Sequence, residues 1–231
     1  MSIPERYKKI CERIATACER TGRDPSEVTL LAVSKTWPAE TVQELVNCGH
    51  RCFGENKVQE VEEKQPVLPA NLEWHFIGHL QKNKVRKVLT HCDVIQSIDS
   101  IELAQRVDRI AEELAVRPRV LLQVNIGDEE SKFGLSGENL PSTIREIREL
   151  ANLHLSGLMA IPPAVENPES ARPHFRAMKE LQARLEDVDG VALPELSIGM
   201  SHDFEIAIEE GATIVRVGSA LFGERIYSTV N

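Results

Sequence analysis

A chain of 231 residues with 42% hydrophobic side chains suits one large α/β domain, or at most two small ones. Its formal charge is -9, which opposes non-specific binding to nucleic-acid phosphates and anionic lipid. Nothing at Met1-Ser2-Ile3-Pro4 resembles a signal peptide, no apolar run is long enough to span a bilayer, and the five cysteines include no C-x-x-C pair, so a cytoplasmic protein with reduced thiols is expected.

The first predicted element is a helix over 6–20, where Tyr7, Ile10, Cys11, Ile14 and Cys18 recur at helical spacing. Thr21-Gly22-Arg23-Asp24-Pro25 stops it with turn residues in the right order. Eight short β-type runs follow, at 29–33, 51–54, 73–77, 94–97, 120–125, 154–159, 195–198 and 213–217. Helical runs separate them, at 39–47, 58–64, 81–89, 101–115, 138–151, 169–186 and 202–209, the last capped by Ser201. Ala220 and Leu221 open a truncated eighth. Strict β-α alternation argues for parallel strands with helical crossovers, and eight repeats predict a closed (β/α)8 TIM barrel with an extra N-terminal helix. No linker or composition shift divides the chain, so residues 1–231 are expected to form a single domain.

In such a barrel the residues after each strand face one mouth. Lys35 closes the first run, Leu30-Leu31-Ala32-Val33-Ser34, before Thr36-Trp37-Pro38 end it. An amine there can form a Schiff base with an aldehyde. Strand two delivers Gly54-Glu55-Asn56, strand seven Gly199-Met200-Ser201, and strand eight Arg216 and then Gly218-Ser219. Gly199, Ser201, Gly218 and Ser219 precede short helices, as a phosphate monoester requires: glycine admits the anion to the backbone, hydroxyls donate, and helix N-termini aim N–H groups at it. The alternative is tight turns and caps only. Arg216 shares a face with Ile214 and Gly218 inside an apolar run, and a buried arginine needs a partner. That partner is either a carboxylate inside the barrel or the ring nitrogen of a cofactor. A lysine, a ring-nitrogen partner and a phosphate cradle are together what pyridoxal phosphate needs. Because arginine keeps its proton, the ring nitrogen would stay unprotonated and the ring would be a weak electron sink.

Other features read as structural. His75 and His79 are four apart but straddle a strand and the Gly78 turn, so no metal is expected there. Lys82, Lys84, Arg86 and Lys87 read as a solvated helix face, and Cys48 with Cys52 as ordinary thiols rather than a redox pair. No G-x-S-x-G, Walker A or Rossmann fingerprint follows a strand.

The segment Trp74-His75-Phe76-Ile77-Gly78-His79-Leu80-Gln81-Lys82-Asn83-Lys84 resembles the signature of the YggS/PROSC family, the pyridoxal phosphate homeostasis proteins. Further blocks are similar to that family in the same order: Ala32-Val33-Ser34-Lys35, Phe53-Gly54-Glu55-Asn56, Leu158-Met159-Ala160, Ser197-Ile198-Gly199-Met200-Ser201 and the run from Val215 to Gly223. The resemblance covers essentially the whole chain. It implies a barrel like the N-terminal domain of alanine racemase, fold type III among pyridoxal phosphate proteins, with a covalent imine at Lys35. It also implies phosphate contacts from Ser201, Gly218 and Ser219, Arg216 at the ring nitrogen, and Asn56 near the cofactor. The implied function is vitamin B6 homeostasis: holding pyridoxal phosphate as a Schiff base, possible delivery to apo-enzymes, and effects on amino- and keto-acid balance. No catalytic residue and no robust turnover are expected. The related racemases use a tyrosine from a C-terminal domain and the partner subunit, whereas this chain has only Tyr7 and Tyr227. A monomer is expected for the same reason. The alternative is a slow amino-acid racemase.

Overall fold

Runs such as Thr29-Leu30-Leu31-Ala32-Val33 can bury both faces, which parallel strands covered by helices require. The computed structural model closes eight of them into a parallel barrel in sequential order, with the first strand paired to both the second and the eighth. It describes residues 1–127 and 133–223, the side chains of 188 and 189 excepted. The strands are β1 (Thr29–Val33), β2 (Cys52–Glu55), β3 (Glu73–Phe76), β4 (Val94–Ile98), β5 (Arg119–Val124), β6 (His154–Ala160), β7 (Glu195–Met200) and β8 (Ile214–Val217). The helices are α1 (Ile3–Thr21), α2 (Ala39–Asn47), α3 (Val58–Lys64), α4 (Val85–His91), α5 (Ile101–Leu114), α6 (Leu140–Arg148), α7 (Arg172–Asp189), α8 (Phe204–Glu209) and α9 (Ser219–Phe222).

Two hydrophobic clusters follow from this geometry. The larger one lies between the strands and the helices. The smaller one fills the barrel itself with Leu31, Cys52, Val94, Leu121, Met159 and Ile214. Ile214 is in that inner cluster, so period-two alternation turns Arg216 inward as well, as its sequence position predicts.

The predicted first helix starts too late. Ser2 and Glu5 form a reciprocal capping box and Pro4 sits in the first turn, so α1 begins at Ile3. The S-x-x-E signal was present in the sequence ahead of the hydrophobic stripe. Gly22, at φ 67°, closes the other end in the left-handed conformation that glycine adopts without strain. Nor is α1 merely an addition to the barrel. α9 is only four residues long, and α1 packs against α8, α9 and α2. It thereby occupies the place of the missing eighth outer helix. Arg13 fastens it there, with a fork of hydrogen bonds to Glu205 at 2.8 and 2.6 Å and its guanidinium 4.4 Å from the Phe204 ring centroid.

Of the basic run, Lys82 and Lys84 lie in a 3-10 turn ahead of α4, while on α4 itself Arg86 pairs with Glu113 and Lys87 with Glu62 at 3.0 Å. All five cysteines are free thiols. Cys52 points into the barrel, while the Cys48 thiol donates to the Glu44 carbonyl at 3.3 Å.

Candidate functional site

The C-terminal ends of the strands surround a cavity of about 660 Å³. Lys35, Asn56, Ser201, Arg216, Gly218 and Ser219 all line it. Val33, Trp37, Ile77, Ile161 and Met200 supply an apolar wall, and His202 and Gly223 complete the lining. Two cations face this space and no carboxylate lines it among the described residues, although the chain as a whole carries -9. Such a cavity selects for anions.

Each position has a local cause. Leu31 and Val33 point inward from β1, and Lys35 continues that alternation just beyond the strand, half-buried at the mouth. Trp37 stacks on Phe222 of α9, with ring centroids 5.9 Å apart, and so ties the β1–α2 loop to the strand-eight side of the cavity. Asn56 is held by close packing against Gly78, where a Cβ would lie 2.2 Å from the Asn56 carbonyl oxygen. Only glycine fits there.

Ser201 does not cap α8 as predicted. The residue before α8 is Asp203, whose carboxylate accepts from the Met200 N–H at 2.7 Å. The Ser201 Oγ instead accepts from the N–H groups of Gly218 and Ala220, at 3.1 and 3.3 Å, and so joins the strand-seven and strand-eight loops. A register shift between β7 and β8 helps to place it: Ser197 pairs with Ile214, but Met200 rather than Gly199 pairs with Arg216. Gly199 sits in that irregularity at φ 88°, and a Cβ on it would meet the Ala207 Cβ at 2.5 Å. Its role is close packing of β7 on α8, not contact with a phosphate, and it is absent from the cavity lining.

Arg216 is 4% exposed. Its NH1 donates to the Ser197 carbonyl and hydroxyl oxygens, both at 2.7 Å, and its NH2 to the Ala160 carbonyl at 2.9 Å. Backbone and hydroxyl oxygens thus take the place of the interior carboxylate considered from the sequence. Burial pulls the guanidinium down to about 10, against the opposing pull of Asp203, so it is still charged at neutral pH.

The profile of the alanine racemase N-terminal domain matches residues 7–226. A protein of Aquifex aeolicus named pyridoxal phosphate homeostasis protein is 49% identical over 98% of this chain and the whole of that one. The structure of PipY from Synechococcus elongatus with pyridoxal phosphate bound is 40% identical, with a TM-score of 0.81 over 93% of this chain and all of that one. The chain belongs to the pyridoxal phosphate homeostasis family. An alanine racemase of Clostridium difficile, at 14% identity and TM-score 0.70, shares the fold over 94% of this chain and 57% of its own length.

The family blocks hide a buried network that strand-end reasoning missed. β2 runs one residue further than predicted, so Glu55 lies in the strand rather than at the mouth, and it is fully buried. Ser34 Oγ donates to Glu55 Oε1 at 2.7 Å. Lys64, 4% exposed, donates to the same oxygen at 2.6 Å, to the Ser34 carbonyl at 2.9 Å and to Glu60 at 3.2 Å. Glu60 also accepts from the Thr36 N–H. The residues on both sides of Lys35 are therefore pinned. Thr36 needs it: its φ of 70° is strained for a β-branched residue. Burial pushes the Glu55 carboxyl up to about 7, against the pull of Lys64. The available signal was Glu55 two residues after Phe53 on one strand face: a carboxylate among apolar positions requires a partner.

His75, His79 and Tyr7 are not among the residues that line the cavity. His75 is buried inside the barrel, whereas His79 is outside, 3.3 Å from Asp99 and stacked on Phe133 at 3.9 Å. Tyr7 packs edge-on to His50, which precedes β2, at the opposite end of the barrel from Lys35. Burial pushes its phenol up to about 12. Tyr227 lies outside the described residues.

The donor set fits a phosphorylated aromatic aldehyde. It offers a primary amine, a fixed guanidinium, two serine hydroxyls and an apolar wall for a ring, with the Gly218 and Ala220 N–H groups gathered on Ser201 Oγ.

Proposed function

We propose that this protein binds pyridoxal 5'-phosphate and acts in vitamin B6 homeostasis as a holder of the cofactor. The observation that carries the reading is the grouping of Lys35, Arg216, Ser201, Gly218 and Ser219 around one cavity that no carboxylate lines among the described residues. The bound cofactor would supply a reactive aldehyde and an electron-withdrawing ring. Lys35 is the residue that would hold the aldehyde carbon through its amine, reversibly, so that free aldehyde stays low. Ser201 and Ser219 would hold the phosphate with the Gly218 and neighbouring N–H groups, and Arg216 would face the ring nitrogen. Asn56 would bound the cofactor opposite the phosphate loops. PipY with its bound cofactor and the name of the Aquifex relative support the same reading.

The phosphate cradle is testable by itself. Charge-assisted hydrogen bonds contribute about 1.5–3 kcal/mol each. The Ser201→Ala, Ser219→Ala double variant should release pyridoxal phosphate roughly tenfold or more readily, that being the effect of about 1.4 kcal/mol. Pyridoxal without its phosphate should bind variant and wild type equally. Equal losses for both ligands would place the cradle elsewhere.

Catalysis is not part of the proposal. Arg216 holds its proton, and Tyr7 sits at the far end of the barrel, so no second acid or base from these two faces Lys35. A missing general base costs about 10²–10⁴-fold in rate. L-Alanine incubated with the loaded protein in deuterium oxide should keep its α-proton, followed by NMR. Exchange within minutes at catalytic protein concentration would favour the racemase alternative.

We further propose that residues 1–231 work as one domain, as a monomer, in the cytoplasm, and that apo-enzymes take the cofactor from it. No helix among the described residues is long and apolar enough to cross a membrane. The exposed side of α5 carries Glu102, Arg109, Glu112 and Glu113, a charged surface unsuited to an obligate interface. Sedimentation at micromolar concentration should return the mass of one chain. A stable dimer would refute the monomer.

A further inference from the structure

Below the cavity, the barrel interior carries a run of side-chain hydrogen bonds that reaches across it from Arg216. We infer that Gln96 and His75 are positioning residues for Arg216, acting through Ser197. The inference deepens the proposed cofactor reading and rests on it for its consequence, though not for its geometry.

The direction of the run is fixed at one end. Arginine offers only donors. Arg216 NH1 donates to Ser197 Oγ at 2.7 Å, so that hydroxyl must send its own proton elsewhere. The acceptor is Gln96 Oε1, also at 2.7 Å. This settles which end of the Gln96 amide is oxygen, and its Nε2 then lies 2.8 Å from His75 Nδ1. An amide nitrogen can only donate, so Nδ1 accepts and the ring proton is on Nε2. There it faces Glu73 Oε1 and Cys52 Sγ, each at 3.4 Å. Turning the Gln96 amide alone would take the acceptor from the Ser197 proton and set Oε1 against the Nδ1 lone pair, and moving the ring proton to Nδ1 would set donor against donor.

Burial makes the order binding. Ser197 and Gln96 are fully buried and His75 is 1% exposed, so water is a poor substitute for a lost partner. The members come from β8, β7, β4 and β3, and the run thus braces Arg216 from the opposite side of the barrel. Without Gln96, the Ser197 hydroxyl is free to turn, and NH1 keeps only the Ser197 carbonyl as a fixed acceptor. The same assignment speaks against a cation held by Cys52, Glu73 and His75, whose ligand atoms lie within 4.8 Å of one another. The Nε2 that would bind it already carries its proton, and Arg119 pairs with Glu73.

The test begins with protein free of cofactor. Nitrogen-15 NMR should show His75 as the Nε2–H tautomer and the Arg216 guanidinium protons as resolved, slowly exchanging signals. Gln96→Met, close in shape, should average those Arg216 signals, and Ser197→Ala should do so if Gln96→Met folds poorly. In loaded protein both variants should shift the ring-nitrogen resonance of labelled pyridoxal phosphate. Both should also weaken binding of the cofactor and of unphosphorylated pyridoxal alike, roughly fivefold, the worth of one neutral hydrogen bond. A purely structural role would lower the melting temperature and leave both nitrogen signals in place. An Nδ1–H tautomer, or unchanged Arg216 signals in the variants, would overturn the inference. Failure of the wild-type protein to take up pyridoxal phosphate would instead sink the proposed function, and the signals from unloaded protein would still decide the positioning.

Discussion

Lys35→Ala is expected to abolish covalent capture of pyridoxal phosphate and, with it, the visible absorption of the loaded protein. The fold should survive. Lys35 is half-buried at the strand end rather than packed in either hydrophobic cluster, and substitutions away from a core usually shift stability by no more than about 0.5 kcal/mol. The non-covalent contacts of Ser201, Ser219 and Arg216 would remain, so weak reversible binding should persist in the variant. Borohydride reduction of the loaded wild type followed by peptide mapping is the direct test. A label on the peptide that carries Lys35 is the expected result, and a label on another lysine would sink the assignment.

The largest loss of stability is expected from Lys64→Met. All three protons of this ammonium are used inside the protein, and the second oxygen of Glu55 already has no partner. Removing the cation strands a buried carboxylate, which typically costs about 3–5 kcal/mol. At about 2–4 °C per kcal/mol for a chain of this size, the midpoint of thermal unfolding should fall by roughly 6–20 °C. The double variant Glu55→Leu, Lys64→Met should recover most of that loss, because two apolar side chains of similar volume leave no charge unpaired. Recovery of stability should not restore cofactor uptake. Ser34 would still lack its bonds to Glu55 and from Lys64, and Glu60, which accepts from the Thr36 N–H, would lack the ammonium that holds it beside Lys35. Equal stability losses in the single and double variants would show that the Glu55–Lys64 pair is not the source. Full cofactor uptake by the double variant would show that the network does not position Lys35.

The barrel and most of its cavity were legible in the sequence because both rest on local patterns. Strand alternation has a period of two, and it carried Leu31 and Val33 on to Lys35, and Ile214 on to Arg216, before any tertiary contact was known. Eight such runs separated by helical ones leave few topologies other than a closed parallel barrel. Once the barrel is assumed, residues far apart in the chain must meet at one mouth, and Lys35, Asn56, Ser201, Arg216, Gly218 and Ser219 do.

Tertiary structure alone decided which side chains answer one another. Ser201 serves the strand-eight loop instead of α8 because an irregularity at Gly199 changes the pairing of β7 with β8. α1 completes the outer ring because α9 is too short to do so, a vacancy that exists only after the barrel has closed. Glu55 looked like a residue of the mouth until β2 proved to end one residue later, which turned its carboxylate outward beneath α3 and against Lys64. Arg216 was read correctly as buried, yet its acceptors, Ser197 and Ala160, come from β7 and β6 and could not be named. The period of a strand is a property of its own backbone and is written in its residues. The partner of a buried polar group depends on register, shear and the direction of every neighbouring strand, and those are set only when all eight pack together.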